Sequence, residues 1–155
     1  MTILSIDSGI ERTGYAVFRN GHYLTSGLIK TSKAQIKEKR LEQIYNAIKE
    51  LVKKNKPEKI VLERLFFFSN QKTVITVSQT QGVVLLLAAQ NNIPVEFLTP
   101  LQIKSIITGY GKADKKAVQK MIALTLSIPG ITQDDEADAV ACGLAYCYLN
   151  KNLLK

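Results

Sequence analysis

The chain is 155 residues long, 46% hydrophobic and 22% charged, and its 21 Lys and Arg against 13 Asp and Glu leave a formal charge of +8. That length and apolar content suit one soluble domain with its own core and exclude a disordered polyelectrolyte, while two cysteines and a single histidine exclude a zinc framework. No apolar run nears the ~20 residues of a membrane span, Met1-Thr2-Ile3-Leu4 lacks the basic start of a signal peptide, and the surplus positive charge looks outward, to a polyanion such as nucleic acid.

Ile3-Leu4-Ser5-Ile6 reads as a buried strand closed by the turn signal Asp7-Ser8-Gly9. Gly14 to Phe18 alternates as a second strand, Asn20-Gly21 marks a hairpin, and Tyr23 to Ile29 returns as a third. From Ser32 to Asn55 the period becomes helical, with Leu41, Ile44, Tyr45, Ile48, Leu51 and Val52 on one face and lysines on the other. Lys59-Ile60-Val61-Leu62-Glu63 is a fourth strand and, like the first, an apolar run ending in an acid. Thr73 to Val77 is β-branched, but the run continues to Ala89 without a turn signal, so Lys72 to Asn91 is predicted as one helix. Gly82 in its middle costs about 1 kcal/mol against Ala, which suggests a close packing contact there.

Pro94 to Leu98 is a fifth strand, Pro100 to Ile107 a short helix, and Gly109-Tyr110-Gly111 a loop. Asp114 to Leu126 and Asp135 to Leu149 complete the helices. Cys142 and Cys147 in the last helix point to different faces, and read as small buried residues of a reducing cytoplasm. With no repeat or linker, residues 1–150 form a single domain and 151–155 a C-terminal tail. The order β-β-β-α-β-α-β-α-α predicts an α/β fold, a five-stranded mixed sheet with helices on both faces. The crossovers make strands one, four and five parallel.

Ligands of open α/β sheets bind at the carboxyl ends of parallel strands, where Asp7 and Glu63 fall. The last helix opens Asp134-Asp135-Glu136-Ala137-Asp138, and Asp135 and Asp138 share a helical face near its positive end. Crowded carboxylates hold protons unless a cation neutralises them, and all-oxygen donors suit hard ions, Mg²⁺ or Mn²⁺. Two such ions serve an in-line phosphoryl displacement without a His, Ser or Cys nucleophile. Taken singly, each acid also has an ordinary role: Asp7 in an Asx-turn, Glu63 as a strand-end charge, Asp134 and Asp135 as helix caps.

In sum, Ile6-Asp7-Ser8-Gly9 with Thr13-Gly14-Tyr15, Leu62-Glu63-Arg64-Leu65-Phe66-Phe67, Gln79-Thr80-Gln81-Gly82 and Asp135-Glu136-Ala137-Asp138-Ala139 stand in order at family spacing. With them the chain resembles, from Met1 to about Tyr148, the RuvC family of bacterial Holliday-junction resolvases, nucleases of the RNase H-like superfamily. The resemblance implies an RNase H-like fold, two Mg²⁺ ions held by Asp7, Glu63, Asp135 and Asp138, and Asp135 rather than Asp134 as ligand. It also implies an aromatic wedge at Phe66 and basic residues near the scissile phosphate at Lys104 and Lys115. Such enzymes act as cytoplasmic homodimers that nick two strands of like polarity in a four-way junction, leaving ligatable ends. They work with the RuvA and RuvB branch-migration proteins. The dimer interface implied by the resemblance is the helix predicted from Lys72 to Asn91. The chain departs from the pattern at Ser8, where proline is usual, and at Gln81, where an arginine is missing.

Lys104, Lys112, Lys115, Lys116 and Lys120 stand against the lone Asp114 in their stretch, and backbone N–H groups at a helix start suit a phosphate. Of Phe66, Phe67 and Phe68, Phe66 is expected partly exposed for base stacking and at least one neighbour buried. Three rivals are an actin-like or sugar-kinase ATPase, a non-catalytic nucleic-acid-binding relative, and a related nuclease for other branched DNA or RNA. The first usually needs a second lobe, and the retained acids speak against the second.

Overall fold

The structure, a computed structural model, describes residues 1–65 and 71–150. The strands β1 (Thr2–Asp7), β2 (Arg12–Arg19) and β3 (His22–Lys30) meander antiparallel, and β4 (Lys59–Glu63) and β5 (Val95–Leu98) extend the sheet in parallel, in the order β3-β2-β1-β4-β5. The β2–β3 hairpin turns through Asn20 and Gly21, both at positive φ, as an Asn-Gly pair permits.

Helices α1 (Lys37–Asn55) and α2 (Gln71–Gln90) cover one face, where Leu4, Ile6, Val17, Ile44, Ile48, Val84 and Leu87 form one core. Helices α3 (Pro100–Thr108), α4 (Lys115–Leu126) and α5 (Asp134–Leu149) cover the other, around Ile3, Phe18, Val61, Ile103, Val118 and Val140. β1 is central and buried on both sides, which is why its sequence is a continuous apolar run.

Three expectations are corrected. The helix predicted from Ser32 starts at Lys37, because the Ser32 hydroxyl accepts from Ala34 N at 3.2 Å and its carbonyl from Gln35 N, holding a turn instead. The condensed order counts two helices after β5 where three stand, leaving out the short helix predicted from Pro100 to Ile107, which forms as α3 with a Thr99–Gln102 capping box and Pro100 in its first turn. Gly82 is exposed, and a Cβ there would meet nothing within 4 Å, so no close contact inside the chain requires it.

The close contact lies elsewhere. Ser5, on β1, donates to the Ala139 carbonyl of α5 at 2.7 Å, and a Cβ on Gly143 would stand 2.5 Å from both Ser5 Oγ and Phe18. Gly14, on β2, lies beneath the Asp135 backbone, where a Cβ would stand 1.8 Å from the Asp135 carbonyl oxygen. Small residues thus seat α5 directly on β1 and β2, and its positions from Ala139 to Cys147 are all buried. No described helix is long and apolar enough to cross a membrane.

Candidate metal centre

β1 and β4 run parallel with Ile6 opposite Leu62, so the next residues, Asp7 and Glu63, end adjacent strands about 4.8 Å apart. Asp7 also pairs with Gly14 across the β1–β2 ladder. Because α5 rests on Gly14, its first turn brings Asp135 to that same edge, and Asp138 follows one turn later. Glu136 accepts a hydrogen bond from Ser26 of β3, fixing the helix start from a third strand.

The four acids feel one another. Burial, then Asp138, Glu63 and Asp135, push the Asp7 carboxyl up to about 8, with Lys115 opposing. Burial and Asp138 raise Glu63 to about 6, against Lys115 and Lys104. Burial also raises Asp138, although Lys115 hydrogen-bonds to it. The Asp7 carboxylate makes no hydrogen bond or ion pair with the described residues, which leaves no support for an Asx-turn role.

Two of the acids hold cationic partners. Arg12 Nε lies 2.9 Å from Asp135 Oδ2, and Lys115 Nζ lies 3.1 Å from Asp138 Oδ2 and 3.7 Å from Asp134 Oδ2. Burial disfavours the Lys115 charge, but its bonds to the acids outweigh burial and raise its pKa. Among the described residues no three acidic side chains converge on one point as a finished coordination sphere. As placed, Asp135 and Asp138 are turned toward Arg12 and Lys115, and ligation by all four acids requires those contacts to give way. The donor set nonetheless fits hard divalent ions. It is all carboxylate, and it contains in Asp7 an acid that burial first, and then the neighbouring acids, hold back from ionising.

Glu63, Lys104, Lys115 and Asp138, with Pro100 and Ile103, line a cavity of about 190 Å³. Lys112 and Lys116 are exposed and form no ion pair with the described acids. The backbone donors proposed at that helix start are partly spent, since Asp114 caps α4 by accepting from Ala117 N at 2.7 Å. Phe66, with Phe67 and Phe68, lies outside the described residues. Arg12 escaped the sequence reading. A lone arginine after a turn carries no periodic signal, and only its place two residues before Gly14 on β2, hence on the α5 face, could have marked it.

Comparison with known proteins agrees with this architecture. A sequence-family model described as "Crossover junction endodeoxyribonuclease RuvC" matches residues 3–147. Proteins of that name from Fusobacterium nucleatum and Brachyspira hyodysenteriae are 44% and 43% identical, the alignments covering 91% and 97% of this chain and 77% and 96% of theirs. The solved structure of Thermus thermophilus RuvC in complex with Holliday junction substrate is similar at a TM-score of 0.89 and 26% identity, over 97% of this chain and 95% of that one. A yeast mitochondrial Holliday junction resolvase, 15% identical with a TM-score of 0.66, shares the fold over 97% of this chain and 81% of its own.

Proposed function

The chain belongs to the RuvC family of crossover junction endodeoxyribonucleases, and on that premise we propose that it resolves four-way DNA junctions by metal-dependent phosphodiester hydrolysis. Asp7, Glu63, Asp135 and Asp138 are the metal-holding and catalytic acids in this reading. The observation that carries it is the meeting of acids from β1, β4 and α5 at one sheet edge, where burial first and then Asp138, Glu63 and Asp135 oppose ionisation of Asp7, which added positive charge would relieve. Bound Mg²⁺, two ions for four acids with Mn²⁺ as substitute, supplies Lewis-acid charge at the attacking and leaving oxygens.

The chain's own residues do the rest. Lys104 and Lys115 line the cavity beside Glu63 and Asp138 and bind the scissile phosphate there. Lys115, its pKa raised, enters as a cation and not as a base, so its part is electrostatic. Arg12 and Lys115 offset the acids' repulsion until phosphate competes for them. Phe66, by the family resemblance, opens the junction by stacking on a base, and exposed Lys112 and Lys116 add phosphate contacts.

Symmetric cuts in two strands need two sites, and we read the protein as a homodimer. Ile75, Leu85 and Leu86 of α2 are 56%, 41% and 57% exposed, an apolar surface that a second copy would cover, and Gly82 is exposed on the same helix. RuvA and RuvB are the partners implied by the family resemblance. The test incubates the protein with a synthetic four-way junction and Mg²⁺ and maps the cuts. Paired cuts related by two-fold symmetry are expected. An intact junction, or linear duplex cut equally fast, refutes the reading.

A further inference from the structure

A second cavity, of about 230 Å³, adjoins the first and shares Glu63 and Pro100 with it. Asp7, Ser8, Arg64 and Gln81 complete its polar lining. Ser8 is buried, and its hydroxyl has no hydrogen-bond partner among the described residues. A buried hydroxyl left so costs stability, and such groups call for an explanation, often a ligand. The Arg64 guanidinium stands over the Phe97 ring, 5.9 Å from its centroid, and has no acidic partner among the described residues. Stacking orders the guanidinium while leaving its N–H edge open to an anion. One N–H of Gln81 Nε2 is held by the Glu63 carbonyl at 2.9 Å, so Gln81 props the wall, and Ser8 and Arg64 are the donors without a partner among the described residues.

We infer that this second cavity seats the phosphate next to the scissile one on the cleaved strand, with Arg64 supplying the charge and Ser8 Oγ a hydrogen bond. The inference rests on the nuclease reading above. The cleaved strand then passes from Lys104 and Lys115, across the acids, to Arg64, so cations stand on both flanks of the acidic edge. Arg64 thereby supplies a cation next to Glu63. The space exceeds what one water fills, about 30 Å³, and suits a phosphate with part of its sugar.

The experiment measures junction affinity in Ca²⁺, which suppresses cutting, using junctions with one neutral methylphosphonate on either side of the scissile phosphate. For the wild type, neutralising one of these two neighbours weakens binding about 10-fold, and Arg64→Gln weakens the unmodified junction about equally. Combining Arg64→Gln with that methylphosphonate costs no more than either alone, because both remove one contact. Ser8→Ala weakens binding about 3- to 10-fold yet melts no lower than the wild type, since it deletes a hydroxyl without a partner. Independent, multiplying losses at both neighbours overturn the inference. So does a Ser8→Ala protein that melts lower and binds normally, which would make Ser8 structural. If the wild type does not bind the unmodified junction at all, the nuclease reading fails first and the subsite with it. If it binds and cuts while the losses multiply, only the subsite falls.

Discussion

Gly14→Ala tests whether the acidic edge depends on the contact between α5 and β2. The new Cβ would stand 1.8 Å from the Asp135 carbonyl oxygen, 2.4 Å from its carbon and 3.0 Å from Glu136 N, where ordinary contact begins near 3.4 Å. Backbone lies on both sides, so no side chain can swing away, and the first turn of α5 must withdraw by about 1.6 Å to restore contact. Metal ligation tolerates about 0.2 Å, and a 1 Å misplacement in an active site costs about 100-fold. Single-turnover cleavage of a four-way junction at saturating Mg²⁺ is therefore expected to slow by about 100-fold or more. Overpacking adds about 1–3 kcal/mol of destabilisation, read as a fall in Tm of roughly 2–4 °C per kcal/mol. Gly130→Ala, at a site with nothing within 4 Å of the new Cβ, is the matched control and leaves both readouts unchanged. A Gly14→Ala enzyme that stays folded and cuts within about 3-fold of wild type refutes the reasoning, since a shift that large cannot be catalytically silent.

Asp7→Asn abolishes cleavage while keeping junction binding, and in EDTA at pH 8 it melts above the wild type because one of four opposed charges is gone; near-normal cutting defeats the metal assignment. Asp7 is held at about 8 and Glu63 at about 6, against ordinary values of 3.8 and 4.5. Between about pH 4 and 8 the metal-free folded protein thus keeps protons that the unfolded chain has released, and stability falls as pH rises through that window and levels off above it. Urea unfolding in EDTA at several pH values measures the slope, which Asp7→Asn should largely flatten; an unchanged slope contradicts the shift. Arg12→Gln frees Asp135 from a half-exposed ion pair and tightens Mn²⁺ binding, by no more than about 5-fold for a contact of that kind. Calorimetric titration checks it, and weaker binding would make Arg12 an orienting partner instead of a competitor.

Much of the site is legible because the acids terminate strong local patterns. Lys59–Glu63 is a strand by its apolar run, and Asp7 closes another, so both ends of the parallel pair are visible in the sequence. Asp135 and Asp138 share one helical face by their spacing, but the choice of Asp135 over Asp134 comes from the family resemblance. Register between elements is not periodic and so escapes. Gly82 and Gly14 look alike in sequence, yet one faces open space and the other lies under the backbone of Asp135. Arg12 and Arg64 carry no pattern at all, and their meaning comes only from which carboxylate or cavity the folded chain sets beside them. The start of α1 departs from the helical period for a local reason, the Ser32 hydroxyl competing for backbone donors.

α5 carries two of the four acids on its first turns and is otherwise buried along most of its length, wedged against β1 and β2 without room for a methyl group at Gly14 or Gly143. Catalytic groups on loops can detach by local opening while the rest of a protein endures. Here the bearer of the acids cannot peel away unless the layer beneath it comes apart. Thermal inactivation is therefore expected to coincide with global melting, and amide exchange along α5 to report the opening free energy of the whole domain.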